Sequence, residues 1–124
     1  MMNNLKIDKT KHTPQVMLNT LGDFTIKGVS TPENAQKFFQ PIINWLNEFK
    51  LTNPSHINFV MEIEYLNTSS SRIVVDLLRL LNQFKLAGTT VSITWTYEAG
   101  DEDMLELGED LQTSSKSEII FLAI

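Results

Sequence analysis

The chain has 124 residues, a formal net charge of −5 and no cysteine. This length favours one domain over residues 1–124 with a single apolar core, and no apolar run approaches the roughly 20 residues that cross a bilayer. Nothing resembles a basic nucleic-acid surface, and the lack of cysteine excludes disulfides, a thiol nucleophile and cysteine metal sites. We therefore expect a cytoplasmic protein that binds neither nucleic acid nor membranes.

The beginning of the chain predicts a β-hairpin. Residues 1–12 are polar and mixed, which indicates irregular backbone or a short edge strand. Residues 13–18 and 24–29 have the composition and alternation of strands, and they are joined by a turn in which Gly22 can adopt a positive φ.

A helix is predicted after the hairpin. Thr31 offers a hydroxyl cap and Pro32 suits the first turn. Apolar residues then recur at helical spacing as far as Phe49. Pro41 lies inside this pattern, and because proline cannot donate a hydrogen bond to the preceding turn we expect a kink or two abutting helices there.

The most regular alternation in the chain is a strand at residues 56–67. One face is predicted to be buried and carries Ile57, Phe59, Met61, Ile63 and Tyr65. The other face carries Asn58, Val60, Glu62, Glu64 and Leu66. Two carboxylates on the second face indicate that no helix covers it.

The rest of the chain alternates helices with strands. Helices are predicted at 68–87 and 101–111, and strands at 89–97 and 119–124. The predicted fold is therefore a single α/β domain of order ββαβαβαβ, in which an opening hairpin is extended by parallel crossovers into a mixed sheet. Because the middle strands alternate cleanly, we expect the helices to pack on one face of the sheet.

Four consecutive hydroxyl residues stand at the junction between the long strand and its helix: Thr68, Ser69, Ser70 and Ser71. A helix start presents unpaired backbone N–H groups and the positive end of the helix dipole, so it accommodates a phosphate. Ser, Thr and Asn are also the usual N-cap residues, and most such runs simply cap a helix. Taken alone, the run is a cap or a phosphorylation site, and its composition favours the cap.

The acidic charge is concentrated in one segment. Residues 98–110 hold seven acidic and no basic residues, while the remainder has eight acidic against ten basic residues. Acids in the first turn of a helix are favoured by its dipole. The spacing does not match an EF-hand loop, so no metal site is predicted, and a docking patch for a basic partner stays open.

Three blocks carry a resemblance to a known family: PENA, FFQP and WL within residues 32–46, YLNTSSS at 65–71, and DEDMLELGED at 101–110. With the strands between them they span nearly the whole domain from about residue 13. The element order resembles the STAS-type fold of bacterial anti-sigma-factor antagonists, in which a Ser or Thr at this helix start is reversibly phosphorylated. The closer resemblance is to the SiaC-type family of regulatory phosphoproteins.

This resemblance implies a function. Family members are substrates of a dedicated Ser/Thr kinase and of a PP2C-type phosphatase. The unphosphorylated form binds and activates a diguanylate cyclase, which links the switch to cyclic-di-GMP and biofilm behaviour. The phospho-acceptor of the family motif falls on Thr68, with Ser69, Ser70 and Ser71 as less favoured alternatives.

Neighbouring residues are candidates for supporting roles. Asn67 and Arg72 flank the hydroxyl run and are predicted to support a phosphate. The acidic residues predicted to contact a partner are Asp101, Glu102, Asp103 and Glu106. Such a switch needs no cofactor and no catalytic residue.

Two other classes of function remain open at this stage. The first is a small enzyme or ligand-binding α/β domain that uses the open face of the sheet. The second is a structural oligomer that self-associates through Val60 and Leu66.

Overall fold

The computed structural model describes residues 2–124 as one sheet and one layer of helices. The strands are β1 (Leu5–Ile7), β2 (Gln15–Leu18), β3 (Asp23–Ser30), β4 (His56–Leu66), β5 (Thr90–Tyr97) and β6 (Ile120–Ala123). The helices are α1 (Ala35–Lys50), α2 (Thr68–Leu86) and α3 (Glu102–Ser115).

The six strands lie in the sheet in sequence order, from β1 at one edge to β6 at the other. The pairs β1–β2 and β2–β3 are antiparallel, and the three pairs from β3 to β6 are parallel. Each parallel step is a crossover through one helix, and α2 contacts both α1 and α3. The predicted mixed sheet, with an opening hairpin and parallel crossovers, is confirmed.

The core lies between this helix layer and one face of the sheet. Its largest fully buried side chains include Trp95, Phe24 and Phe59 from the strands. On α1, Trp45 stacks on Phe49 at a centroid distance of 4.9 Å, and the edge of Phe24 meets Trp45 at 5.6 Å. Such aromatic pairs add to the stabilisation from burial and fix how α1 sits on the sheet.

Helix α1 differs from its prediction in two ways. It begins at Ala35, because Asn34 and not Thr31 is the cap, and the Asn34 Oδ1 accepts the Lys37 N–H at 3.0 Å. The helix also continues through Pro41 without dividing. Pro41 and Lys37 are both exposed, so water can satisfy the Lys37 carbonyl that proline leaves without an N–H donor.

A β-bulge in β4 exchanges the predicted faces of its last residues. Gly28 pairs with Ile63 but Val29 pairs with Tyr65, so Glu64 is an extra residue in the ladder. Beyond it the alternation reverses, and Tyr65 is 55% exposed while Leu66 is only 6% exposed. Because Leu66 is buried, it cannot form part of a surface for self-association.

The other differences are mainly at element boundaries. Residues 5–7 form a short edge strand, an alternative that the polar beginning of the chain had left open. Helix α3 continues beyond residue 111 to Ser115 and ends at Lys116 in the left-handed conformation. Thr96 lies on the predicted outward face of β5 but is buried there, and its hydroxyl donates to the Met61 carbonyl at 3.3 Å. Within residues 2–124 no helix is both long and apolar enough to cross a membrane.

Helix α3 approaches β5 closely at Gly108. A methyl group built on Gly108 would lie 2.7 Å from Trp95 Cδ1 and 2.9 Å from Phe121 Cε1. Trp95 cannot easily yield, because it is fully buried and its indole N–H donates to the Met104 carbonyl at 3.0 Å. Glycine therefore sets the distance between α3 and the sheet.

We predict that Gly108→Ala destabilises the domain. Overpacking costs about 1–3 kcal/mol. It should outweigh the gain in helix propensity of about 1 kcal/mol. Urea unfolding should show a net loss of about 1–2 kcal/mol, whereas Glu109→Ala, at the neighbouring exposed position, should change stability by less than about 0.5 kcal/mol. An unchanged or increased stability of Gly108→Ala would contradict the packing argument.

Candidate functional site

The junction between β4 and α2 is held by one asparagine. Asn67 is the N-cap of α2, and its Oδ1 accepts the Ser70 N–H at 2.9 Å. The backbone N–H of Asn67 donates to the Ser30 carbonyl at 3.0 Å, which ties the helix start to the end of β3. Capping is therefore done by an amide side chain, and the hydroxyl run is not needed for it.

The four hydroxyl groups have different surroundings. Ser70 is fully buried, and its Oγ lies 2.9 Å from the Oγ of Ser30. Ser71 Oγ donates to the Asn67 carbonyl at 3.1 Å, and Ser69 Oγ donates to Asn67 Oδ1 at 3.2 Å. Thr68 is exposed, and its hydroxyl has no hydrogen-bond partner among residues 2–124. Of the four, Thr68 offers the hydroxyl most accessible to an enzyme.

Thr68 opens onto a groove of about 280 Å³ between α2 and α3. Helix α2 contributes Thr68, Ser71, Arg72 and Val75, and α3 contributes Leu107, Asp110, Leu111 and Ser114. Arg72 and Asp110 therefore bring one positive and one negative charge to the same groove. Neither forms an ion pair within residues 2–124. Sequence reasoning missed Asp110 because 42 residues separate it from Thr68.

The predicted acidic residues lie at the start of α3. Asp101 is the N-cap, and its Oδ1 accepts the Met104 N–H at 3.1 Å, while Glu102 and Asp103 occupy the first turn and are exposed. Glu106 is exposed one turn later. None of the four lines the groove beside Thr68. In the described part of the chain no group of acidic or histidine side chains could hold a metal ion.

The buried hydroxyl pair gives a prediction about the rigidity of this junction. Ser70→Ala should lower the free energy of unfolding by about 1–2 kcal/mol, because it leaves the Ser30 hydroxyl without its partner in a site that water does not reach. The double variant with Ser30→Ala should cost less than the sum of the single changes. Urea unfolding measures these values, with exposed Ser69→Ala as the control. Strictly additive losses would mean that the two hydroxyls do not interact.

The fold and this site can be compared with known proteins. The family model described as "SiaC family regulatory phosphoprotein" matches residues 7–124. An uncharacterized protein of Pseudomonas aeruginosa (strain UCBPP-PA14) is 31% identical over 112 residues, which is 90% of this chain and 89% of that protein.

Solved structures agree with this match. The crystal structure of apo-SiaC from Pseudomonas aeruginosa superposes with a TM-score of 0.89 at 28% identity, covering 98% of this chain and all of that one. A chain in the crystal structure of the diguanylate cyclase SiaD in complex with its activator SiaC, from the same organism, gives 0.89 at 29% identity, covering 97% and 99%. The likeness to STAS domains stays a prediction from element order. The chain belongs to the SiaC family of regulatory phosphoproteins.

Proposed function

We propose that this protein is a non-enzymatic switch in the cytoplasm that is controlled by phosphorylation of Thr68. In its unphosphorylated form it binds and activates a diguanylate cyclase, and so acts on cyclic-di-GMP signalling and biofilm behaviour. A Ser/Thr kinase adds the phosphate and blocks binding, and a PP2C-type phosphatase restores it. The similarity to a SiaC chain described as the activator of SiaD supports the choice of partner.

One observation carries the choice of residue: the Thr68 hydroxyl is exposed and unengaged at the first position of α2. Ser70 is fully buried and the other two hydroxyls are bonded to Asn67, so each of them would first have to leave its partner. A modifying enzyme can reach Thr68 without disturbing the cap.

The fold should tolerate a phosphate at this position. Phosphorylation adds about −1.5 to −2 charges and three strong acceptor oxygens. The first N–H groups of α2 and the Arg72 guanidinium can donate hydrogen bonds to these oxygens, and the helix dipole favours the charge. The Asp110 carboxylate, across the groove, repels the charge of the phosphate. Asn67, as the cap, holds the helix end in place throughout.

The partner interface should not tolerate the phosphate. A dianion placed in a docking surface loses its water and remains unpaired there, which costs several kcal/mol. Each loss of about 1.4 kcal/mol is tenfold in affinity. A loss of about 3–4 kcal/mol would therefore convert a tight complex into a negligible one. We include the half-buried Asp101 and the exposed Glu102, Asp103 and Glu106 as candidates for the docking surface.

We expect Thr68→Glu to weaken binding to the cyclase by at least about tenfold, because it places one unpaired charge in the interface. Thr68→Gln has nearly the same size without the charge and is the matched control. Thr68→Ala should bind and activate like the wild type. Isothermal titration and cyclase activity measure both effects. Equal weakening by Gln and Glu would point to size and not to charge.

Incubation with ATP and the cognate kinase should add a single phosphate, read by intact mass and mapped by peptide sequencing to Thr68. Thr68→Ala should take none, while Ser69→Ala should be modified like the wild type. If the phosphate maps to Ser69, Ser71 or elsewhere, or if the phosphorylated protein still activates the cyclase, the proposed switch is wrong.

The groove charges predict how the phosphate affects stability. In the phosphorylated protein Arg72→Gln should lower the free energy of unfolding by about 0.5 kcal/mol, and Asp110→Asn should raise it by a similar amount. Both changes should be smaller before phosphorylation, and both should shrink in 1 M salt. Urea unfolding of the wild type and the two variants, each with and without the phosphate, tests this. If the two substitutions change the free energy of unfolding equally with and without the phosphate, the phosphate does not lie in the groove.

A further inference from the structure

A second concave surface lies at the edge of the sheet where the parallel strands end, and it takes residues from both β4 and β5 and from the start of α3. Its volume is about 460 Å³. It is lined by Glu62, Ile63, Glu64, Thr96, Tyr97, Glu98, Asp101, Met104 and Ile124. None of these residues lines the groove beside Thr68, so the two surfaces are separate. We call this surface the acidic groove.

The charge of the acidic groove has one sign. Four carboxylates line it, from Glu62, Glu64, Glu98 and Asp101. Glu62 is neutralised by Lys27, whose Nζ lies 3.0 Å from Glu62 Oε2. The other three form no ion pair within residues 2–124. Charge complementarity at this groove therefore favours a cationic group.

Apolar side chains continue the groove onto the edge strand. Ile124 lines it, and the neighbouring outward-facing residues of β6, Ile120 and Leu122, are 58% and 51% exposed. The register places these two beside Thr94 and Thr96 of β5, on the open face of the sheet. The surface therefore joins an apolar stripe to a negative rim.

The free edge of β6 offers backbone groups as well. The Ile124 N–H donates to the Tyr97 carbonyl at 2.9 Å, toward β5. Because alternate residues of a strand point their N–H and C=O groups in opposite directions, those of Phe121 and Ala123 point away from β5. No strand within residues 2–124 pairs with this side of β6.

We propose that the acidic groove and β6 together bind an extended segment of another protein that carries apolar residues and then basic residues on one face of its strand. Because successive side chains of a strand point to opposite faces, these residues must occupy every second position. Such a segment would add a strand to β6, lay its apolar side chains beside Ile120 and Leu122, and place its basic side chains against Glu98 and Glu64 where β6 ends. A second copy of this chain fits less well, since its net charge of −5 opposes self-association at a negative surface.

This site does not depend on the state of Thr68. It gives the protein a second contact that stays available after phosphorylation, so a partner could remain bound while the contact at Thr68 is lost. The proposal therefore concerns a binding surface that the switch itself does not need.

The probe is a synthetic ten-residue peptide with valine and then lysine at its odd positions and serine at its even positions, and fluorescence anisotropy measures its affinity. Glu64→Gln combined with Glu98→Gln should weaken binding by at least about tenfold. Glu48→Gln combined with Glu109→Gln removes the same charge from exposed sites elsewhere and should change affinity by less than about twofold. Equal losses in the two double variants would show attraction by net charge only and would overturn the proposal.

Two further arms test the apolar contact and the location. The same peptide with serine in place of valine should bind at least about tenfold more weakly, because it lacks the side chains that cover β6. Amide shifts in NMR should change in β6 and at Glu98. Thr68→Glu should bind the probe with an affinity within about twofold of wild type. The experiment therefore tests this site independently of the proposed switch at Thr68. Absence of binding, or shifts confined to another surface, would refute the site.

Discussion

The position of Thr68 depends on how the start of α2 is tied to the end of β3. Asn67 caps the helix, its backbone bonds to the Ser30 carbonyl, and the buried Ser30 and Ser70 hydroxyls pair 2.9 Å apart. These contacts use side chains on both sides of Thr68 and leave its own hydroxyl unengaged. A reversible modification requires this division, because the residue that changes charge must not be one that holds the helix in place.

The sequence predicted the order and type of most elements because their hydrophobic periodicity is strong. The predictions were wrong where the local pattern of residues carried no sign of a contact with a distant part of the chain. The bulge that reverses Tyr65 and Leu66 arises from pairing with Gly28 and Val29, which lie on another strand. Pro41 predicted a kink or two abutting helices, but the helix forms as one element, because a proline on its exposed side leaves the Lys37 carbonyl to water. In both cases the tertiary surroundings decided between allowed local structures.

The same reasoning applies to the hydroxyl run. Residue type alone favoured capping, and the structure assigns the cap to Asn67, which the sequence had predicted only as a support for phosphate. The four hydroxyls are alike in sequence but range from fully buried to exposed. Three different neighbours separate them: Ser30 of β3 pairs with Ser70, Asn67 holds Ser69 and Ser71, and α3 supplies the far wall of the groove beside Thr68. Helical spacing from Val74 and Leu77 places Ser70 on the buried face, but it does not distinguish the other three hydroxyls.

The groove beside Thr68 and the acidic groove differ in their charge. The groove beside Thr68 contains Arg72 and Asp110, so its net charge is near zero, and the proposed phosphate on Thr68 would make it strongly negative. The acidic groove is negative at all times and shares no residue with the first. A modification changes binding most where it changes the sign or size of the local charge, and long-range effects are screened beyond about 8–10 Å. The proposed phosphorylation should therefore act on the contact at α2 and leave the sheet edge nearly unchanged, which would let one small domain control one contact while keeping another.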